Sequence, residues 1–351
     1  MITAMSEYKL KQLVWELTMS CCFNCKYCGS GGGQHRDNEL TTSECLAVAD
    51  QLIELGIERV NLIGGEVFMR PDWNIIAKRL TSAGVKVTII TNGWLFNSEV
   101  IQQIKDAGIK ALGISLDGPK DIHDKYRQVG SYDRAIKAID DLTAAGLKVA
   151  VISTLNSENV QRLDELYNIL KTKKIYTWQL QACSPMGNAA NSGIPFEINH
   201  SEVMRFIVAK HKETVSDKSN RNKFIIVAAD NIGYFDEDEV FIRGSLTGQR
   251  FYRGCMAGIS SIGIDSVGNV KGCESMQDPI FNEGNLREKT LKEIWENPQG
   301  FSYNRQFNID KLTGKCKNCE FGRICRGGCR SYNYFVTGSL YEHPYCAKRR
   351  H

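Results

Sequence analysis

Cys21-Cys22-Phe23-Asn24-Cys25-Lys26-Tyr27-Cys28 is the stretch that decides the fold, set directly behind the apolar and β-branched run Gln12–Thr18. Cys21, Cys25 and Cys28 are separated by three and then two residues. Thiolates at that spacing wrap one loop around a four-iron cubane, bind three irons and leave the fourth open to a substrate. A structural zinc site takes four ligands. No His or Asp completes a local set here, His35 being the nearest. Cys22 breaks the spacing and reads as a small buried or loop residue.

Outward from this loop, up to about residue 215, short β-branched runs alternate with longer amphipathic ones. Strands are expected at Gln12–Thr18, Arg59–Ile63, Lys86–Thr91, Lys110–Ser115, Lys148–Thr154 and Tyr176–Gln181. Helices are expected near 41–55, 73–84, 97–107, 131–145 and 158–172. Gly56, Gly84, Gly108 and Gly146 follow helices where a left-handed cap is needed, and Thr41 with Glu44 forms a capping box. Six strands alternating with helices predict a parallel α/β domain with right-handed crossovers. Chemistry in such a domain sits at the C-terminal strand ends.

Past residue 216 the alternation stops. Ser216–Lys223 is polar and reads as a linker, followed by a short strand at Phe224–Val227, a hairpin-like pair at Ser261–Asp265 and Asn269–Gly272, and a helix near 289–297. Seven of the 13 cysteines fall after residue 254: Cys255, Cys273, Cys316, Cys319, Cys325, Cys329 and Cys346. Residues 312–351 have little periodicity, so metal must supply much of their folding energy. The chain has 351 residues, 42% of them hydrophobic, and 44 basic against 40 acidic side chains. That balance points to neither nucleic acid nor membrane. No apolar run spans a bilayer, and the start MITAMSEYKLKQ lacks a signal-peptide core. A cytoplasmic location is expected, where cysteines serve metals rather than disulfides.

These motifs together resemble the radical S-adenosylmethionine superfamily. The Cys-x3-Cys-x-aromatic-Cys loop follows the first strand, Gly64-Gly65-Glu66 ends the second, Thr91-Asn92-Gly93 the third, and Ser115-Leu116-Asp117-Gly118 the fourth. Val67 stands where the family has Pro. The resemblance implies a partial (β/α)6 barrel of the TIM type over 12–215, and S-adenosylmethionine bound at a [4Fe–4S] cluster on Cys21, Cys25 and Cys28. Gly64, Gly65 and Glu66 would then hold the methionine ammonium, Arg127 its carboxylate, and Thr91, Asn92, Ser115 and Asp117 would line the cofactor. The zwitterion itself requires one anion and one cation, which Glu66 and Arg127 offer. His123 and Asp124 are expected to shape the turn before Arg127.

The later cysteines, Cys-x12-Gly-x4-Cys from Cys255 through Gly268 to Cys273, then Cys-x2-Cys-x5-Cys-x3-Cys from Cys316 and a final Cys346, resemble the SPASM extension. This implies a small iron–sulfur-rich domain over 251–351, joined by a bridging region over 216–250, with two auxiliary clusters of the [4Fe–4S] kind. Cys316, Cys319, Cys325 and Cys346 would hold the outer cluster. Cys255, Cys273 and Cys329 would hold the inner one. Family members with a complete inner set have one more Cys upstream, but Gly248–Gly254 contains none, so the fourth inner position is either open or filled by another residue type. A pair of zinc ribbons is the competing reading of these spacings.

The function implied is generation of a 5′-deoxyadenosyl radical that attacks an unactivated C–H bond, with electrons from a flavodoxin- or ferredoxin-type donor. The leading substrate is a ribosomally made peptide receiving a crosslink, a thioether or an oxidation. The alternatives are a sulfatase, porphyrin, carbohydrate, quinone precursor or other small molecule, or a non-catalytic zinc scaffold or electron carrier. Many such maturases carry a peptide-recognition domain before the barrel. With the first strand near residue 12, either a separate recognition protein is expected, or a substrate that is short or not a peptide. Cys183, past the sixth strand, either donates a hydrogen atom to a substrate radical or is a small buried residue. Glu274 occupies the place of a catalytic Asp in sulfatase-activating members, and is either a base or a solvated carboxylate.

Overall fold

A computed structural model describes residues 8–216, 224–233, 238, 239, 241–243 and 252–350. The linker reading over Ser216–Lys223 falls, from residue 217, outside them, as does most of the Cys-free stretch before Cys255. The core is one sheet in the order β10-β9-β8-β1-β2-β3-β4-β5-β6-β7. Its parallel strands are β1 (Gln12–Glu16), β2 (Arg59–Ile63), β3 (Lys86–Thr91), β4 (Ala111–Ser115), β5 (Lys148–Leu155), β6 (Thr177–Ala182) and β7 (Ile225–Ala228). β10 and β7 form its two edges, so the barrel is open.

Helices α1 (Thr42–Glu54), α2 (Trp73–Ser82), α3 (Ser98–Asp106), α4 (Lys120–Tyr126), α5 (Ser131–Ala144), α6 (Leu163–Lys171) and α7 (His200–Ser216) lie between these strands in the chain. The Thr41 capping box is present. Gly56, Gly84, Gly108 and Gly146 sit at φ values of 72, 84, 74 and 81°, a region closed to most side chains. Three differences from the sequence reading stand out. The first strand ends at Glu16 rather than Thr18. The stretch before α6 opens with a 3-10 turn over Asn159–Arg162. Residues 312–351 contain helices over Gly322–Cys325 and Arg330–Thr337.

The expected hairpin exists as β8 (Ser261–Ile264) and β9 (Asn269–Lys271). It does more than pair with itself. β8 also lies parallel to β1, with Gln12 opposite Ser261, so the C-terminal region extends the barrel sheet. β10 (Gly284–Asn285) closes that side.

The strand ends are drawn together by backbone contact. Gly65 N–H donates to Thr18 O at 2.7 Å and Glu66 N–H to Ser20 O at 2.7 Å. A Cβ on Gly65 would collide with the carbonyls of Met19 and Ser20, and one on Gly64 with that of Thr18. Glycine is required here for close backbone approach. Gly65→Ala is expected to destabilise the fold by about 1–3 kcal/mol through overpacking, read as a lower midpoint in urea unfolding.

Candidate functional site

The cysteine loop is shaped by its own backbone. Cys21 N–H donates to Gly33 O at 2.7 Å, and Gly33 N–H returns to Met19 O at 2.9 Å. Phe23 N–H points at Cys21 Sγ and Gly32 N–H at Cys28 Sγ, both at 3.4 Å. Such donors favour thiolates. From the β6 side, Asn188 Nδ2 donates to Cys25 O at 3.0 Å and Asn188 N–H to Cys28 O at 2.9 Å. Burial pushes the Cys25 thiol up to about 11, so a metal must displace its proton. Cys22 accepts from Asn92 Nδ2 at 3.4 Å.

Cys21, Cys25 and Cys28 line a cavity of about 340 Å³ at the barrel mouth, together with Gly64, Gly65, Thr91, Asn92, Ser115 and Arg127. Two of the expected cofactor residues stand behind this surface rather than on it. Glu66 is 1% exposed. Its carboxylate accepts from Thr91 Oγ1 at 2.8 and 2.9 Å and from Asn92 N–H at 2.9 Å. Burial nonetheless pushes Glu66 up to about 7. Asp117 accepts from Arg127 Nε, from the Tyr27 hydroxyl and, at 2.7 Å, from Thr154 N–H. Burial would raise its carboxyl, but Arg127 and His123 bring it below the ordinary range. Asp117 therefore fixes Arg127. His123 Nδ1 accepts the Asp117 N–H at 3.1 Å, and Asp124 accepts from Gly130 and Tyr132 N–H, which shapes the turn.

Glu274 lies across the same cavity. It is 3% exposed, so the solvated-carboxylate reading is overturned: the turn after β9 folds it inward. Lys271 Nζ stands 3.3 Å and Gln277 Nε2 3.2 Å from Oε1. Among the described residues Oε2 has no partner, and burial pushes the carboxyl up. Cys183 packs with Tyr27, Tyr126, Ala189 and Ile194 and is 1% exposed, as a small buried residue would be. Sequence reasoning missed Tyr27, Lys271, Gln179 and Gln181. The two glutamines alternate with Trp178, Leu180 and Ala182 on β6, a polar inward stripe that period-2 reading could have found.

A second chamber of about 240 Å³ adjoins the first and shares Tyr27, Thr154, Gln181, Met186, Cys273 and Ser275 with it; Cys329 lies on its wall. Cys255, Cys273 and Cys329 act on one another electrostatically. Cys316, Cys319, Cys325 and Cys346 line a separate small pocket. Among the described residues, no three His, Cys, Asp or Glu side chains are grouped as a single metal ion would need them. Cys316, Cys319, Cys325 and Cys346 instead surround space, and Cys273 and Cys329 face the second chamber; all-sulfur donors around space suit iron–sulfur clusters. No helix among the described residues is long and apolar enough to cross a membrane.

The family description "Radical SAM superfamily" matches residues 15–170, and "SPASM, iron-sulfur cluster-binding domain" matches 255–320. The AdoMet-dependent heme synthase of Methanosarcina barkeri is 28% identical over 96% of this chain and 96% of its own length. The mycofactocin maturase MftC of Mycobacterium ulcerans is 29% identical over 95% of this chain and 86% of its own. The structure of Streptococcus suis SuiB bound to S-adenosylmethionine superposes with a TM-score of 0.76 at 19% identity, covering 96% of this chain and 77% of SuiB. Native anSMEcpe with AdoMet and a peptide superposes with a TM-score of 0.71 at 18% identity, covering 97% and 94%. The two matched domains imply S-adenosylmethionine and [4Fe–4S] clusters as cofactors. With an open parallel barrel, three thiols at its mouth and two further thiol sets beyond it, the chain belongs to the radical SAM superfamily and is an enzyme of its SPASM-containing branch.

Proposed function

We propose that this chain modifies an unactivated C–H position of a peptide. Supporting the reading is one observation above the others: the Cys21, Cys25 and Cys28 thiols, the Gly64-Gly65 turn, Arg127 and Glu274 converge on a single cavity. When bound, the first cluster and S-adenosylmethionine supply one-electron sulfonium cleavage and hydrogen abstraction, and the auxiliary clusters supply electron acceptors. The chain's part is to hold and aim. Cys21, Cys25 and Cys28 would ligate the first cluster. Cys316, Cys319, Cys325 and Cys346 would ligate the outer cluster, and Cys255, Cys273 and Cys329 the inner one. Glu66 and the Gly64-Gly65 carbonyls would take the methionine ammonium. Arg127, held at Nε by Asp117, would take the carboxylate with its terminal nitrogens. Thr91, Asn92 and Ser115 would complete the wall. The domain division at 12–215, 216–250 and 251–351 belongs to the same proposal, as does a flavodoxin- or ferredoxin-type electron donor.

Glu274 Oε2, buried and without a partner among the described residues, would accept the proton that the substrate loses on oxidation. The second chamber favours a peptide over a porphyrin-type substrate. Thr154, Gln181, Ser184, Asn231, Ser275 and Ser331 line it with amides and hydroxyls suited to peptide groups. Among its described lining residues there is no Lys or Arg to meet the carboxylates of a tetrapyrrole. SuiB has been solved with its precursor peptide SuiA. Recognition by a separate protein would bring such a peptide to the chamber.

Anaerobically reconstituted protein with reductant should form 5′-deoxyadenosine and methionine. The triple variant Cys21→Ala, Cys25→Ala, Cys28→Ala should form none, and wild-type silence would overturn the reading. Glu274→Gln should keep S-adenosylmethionine cleavage while lowering modified product by roughly 100-fold or more, measured by mass spectrometry of the peptide.

S-adenosylmethionine binding should depend on pH through Glu66. Below about 7 its carboxyl is protonated and offers the ammonium no charge, and above that it is ionised. Affinity should therefore rise with pH through that point, with a proton released on binding. Calorimetry in buffers of different ionisation enthalpy reads this directly. Glu66→Gln should abolish the pH dependence and weaken binding roughly tenfold or more, the loss of a charge-assisted hydrogen bond.

A further inference from the structure

Charge is not spread evenly along this chain. Residues 311–350 hold nine Lys or Arg against two Glu, while the whole chain has 44 basic against 40 acidic side chains. The remainder is therefore slightly acidic, and the near-balance of the total conceals one basic region. That region is the one that carries Cys316, Cys319, Cys325 and Cys346.

The local fold sorts its side chains. Cys319 N–H donates to Cys316 O at 3.2 Å, Gly322 N–H to Cys319 O at 2.9 Å and Cys325 N–H to Phe321 O at 2.8 Å, a knot of short turns. Cys316, Gly322 and Cys325 are buried in it, whereas Lys315, Lys317 and Arg323, each beside one of them in the chain, are exposed. Lys348 joins from the C-terminal end. Its Nζ lies 4.9 Å from the Phe321 ring centroid, and both residues line the pocket of the four thiols. Ile324, between Arg323 and Cys325, is 49% exposed. Cations on the barrel helices have acid partners, as Lys120 has Asp133, Lys125 has Glu158 and Lys137 has Asp141. Among the described residues, Lys315, Lys317, Arg323 and Lys348 form no ion pair. Of the two acids here, Glu320 is exposed and Glu342 accepts the Lys315 N–H at 3.3 Å.

Exposed cations of one sign, left unneutralised, steer an anionic partner and raise its rate of encounter. An apolar side chain within a charged rim is the usual anatomy of a protein contact, and transient redox complexes need only a small one. The thiols directly beneath choose among anionic partners. We propose that the face formed by Lys315, Lys317, Arg323, Ile324 and Lys348 docks a small acidic redox protein, of the flavodoxin kind, over the outer thiol set. The basic rim meets the partner's carboxylates, Ile324 enters its apolar centre, and the partner's redox group comes to rest above Cys319 and Cys346, the two members of the set that are partly exposed. The inference deepens the electron-partner reading above and rests on the outer-cluster assignment made there.

The test uses the full chain, reconstituted anaerobically, with a purified flavodoxin as probe. Iron content and 5′-deoxyadenosine formed with dithionite are measured first, and failure there overturns the cluster reading on which the inference rests. Calorimetry then gives the flavodoxin affinity. It should fall as salt rises from about 0.01 M to about 1 M, where the Debye length shrinks from about 30 to about 3 Å. The triple variant Lys315→Glu, Lys317→Glu, Arg323→Glu should keep its iron and its dithionite-driven 5′-deoxyadenosine yet bind roughly tenfold more weakly or worse. The double variant Lys120→Glu, Lys137→Glu, on the barrel helices, should bind as wild type does. No binding at low salt, no loss in the triple variant, or an equal loss in the barrel variant overturns the inference. Should the triple variant lose iron, carbodiimide coupling of wild type to the flavodoxin decides. Links at Lys315, Lys317 or Lys348 support the face, and links confined to other lysines overturn it. A single-stranded RNA that binds wild type more tightly than the flavodoxin, and loses that binding in the triple variant, overturns the redox-protein assignment.

Discussion

The burial of sulfur is the constraint on which this molecule turns. Cys25, Cys273, Cys325 and Cys329 are all pushed upward by desolvation and by the sulfurs beside them. Thiols crowded this way can neither ionise alone nor hydrogen-bond one another well. A metal ion resolves both difficulties by replacing protons with positive charge. The C-terminal region also buries Met276, Phe281, Leu291, Trp295 and Phe301 in the common core, but its helices over Leu291–Glu296, Ser302–Arg305, Gly322–Cys325 and Arg330–Thr337 are short.

The barrel obeys a different economy. Its strands are packed by Leu13, Leu62, Ile89, Leu112, Val151 and Leu180, all fully buried, and need no metal to hold their register. That stable frame lets the mouth carry groups that would otherwise be costly. Glu66 is buried and accepts from the Thr91 hydroxyl and from Phe68 and Asn92 N–H. Asp117 anchors Arg127 and Tyr27 at once, so the one described cation on the cavity wall is fixed by a carboxylate that never reaches the cavity. Glu274 is held on one oxygen by Lys271 and Gln277 and left bare on the other. Preorganised charge in a low-dielectric site interacts strongly with whatever binds.

Much of this was legible in the residues. Arg59–Ile63 and Lys86–Thr91 were read to the residue because a Gly-capped helix precedes each and a polar turn follows. The convergence of Cys21, Gly65, Asn92 and Arg127 on one mouth follows from parallel strands, whose C-terminal ends share a face. Helices α4 and α7 escaped notice. α4 has seven residues and Pro119 at its cap, while α7 lies in a segment where no strand rhythm frames it. The pairing of β8 with β1 was invisible as well, since hydrophobic period records which face is buried but not which distant strand covers it. The burial of Glu274 is not legible in the sequence, because it depends on Lys271 and the cavity wall, which spacing does not reveal.

The attachment of β8 to β1 has a consequence for how the protein is made. β1 carries the cysteine loop at its end, yet one of its two neighbouring strands is not synthesised until Ser261–Ile264 emerges. Domains form from the N-terminus as translation proceeds, and contacts between distant segments close late. The first metal-binding loop thus remains one-sided on the ribosome until most of the polypeptide has been produced. Assembly factors delivering iron and sulfide would meet a finished cradle only once Ser261–Ile264 has joined β1.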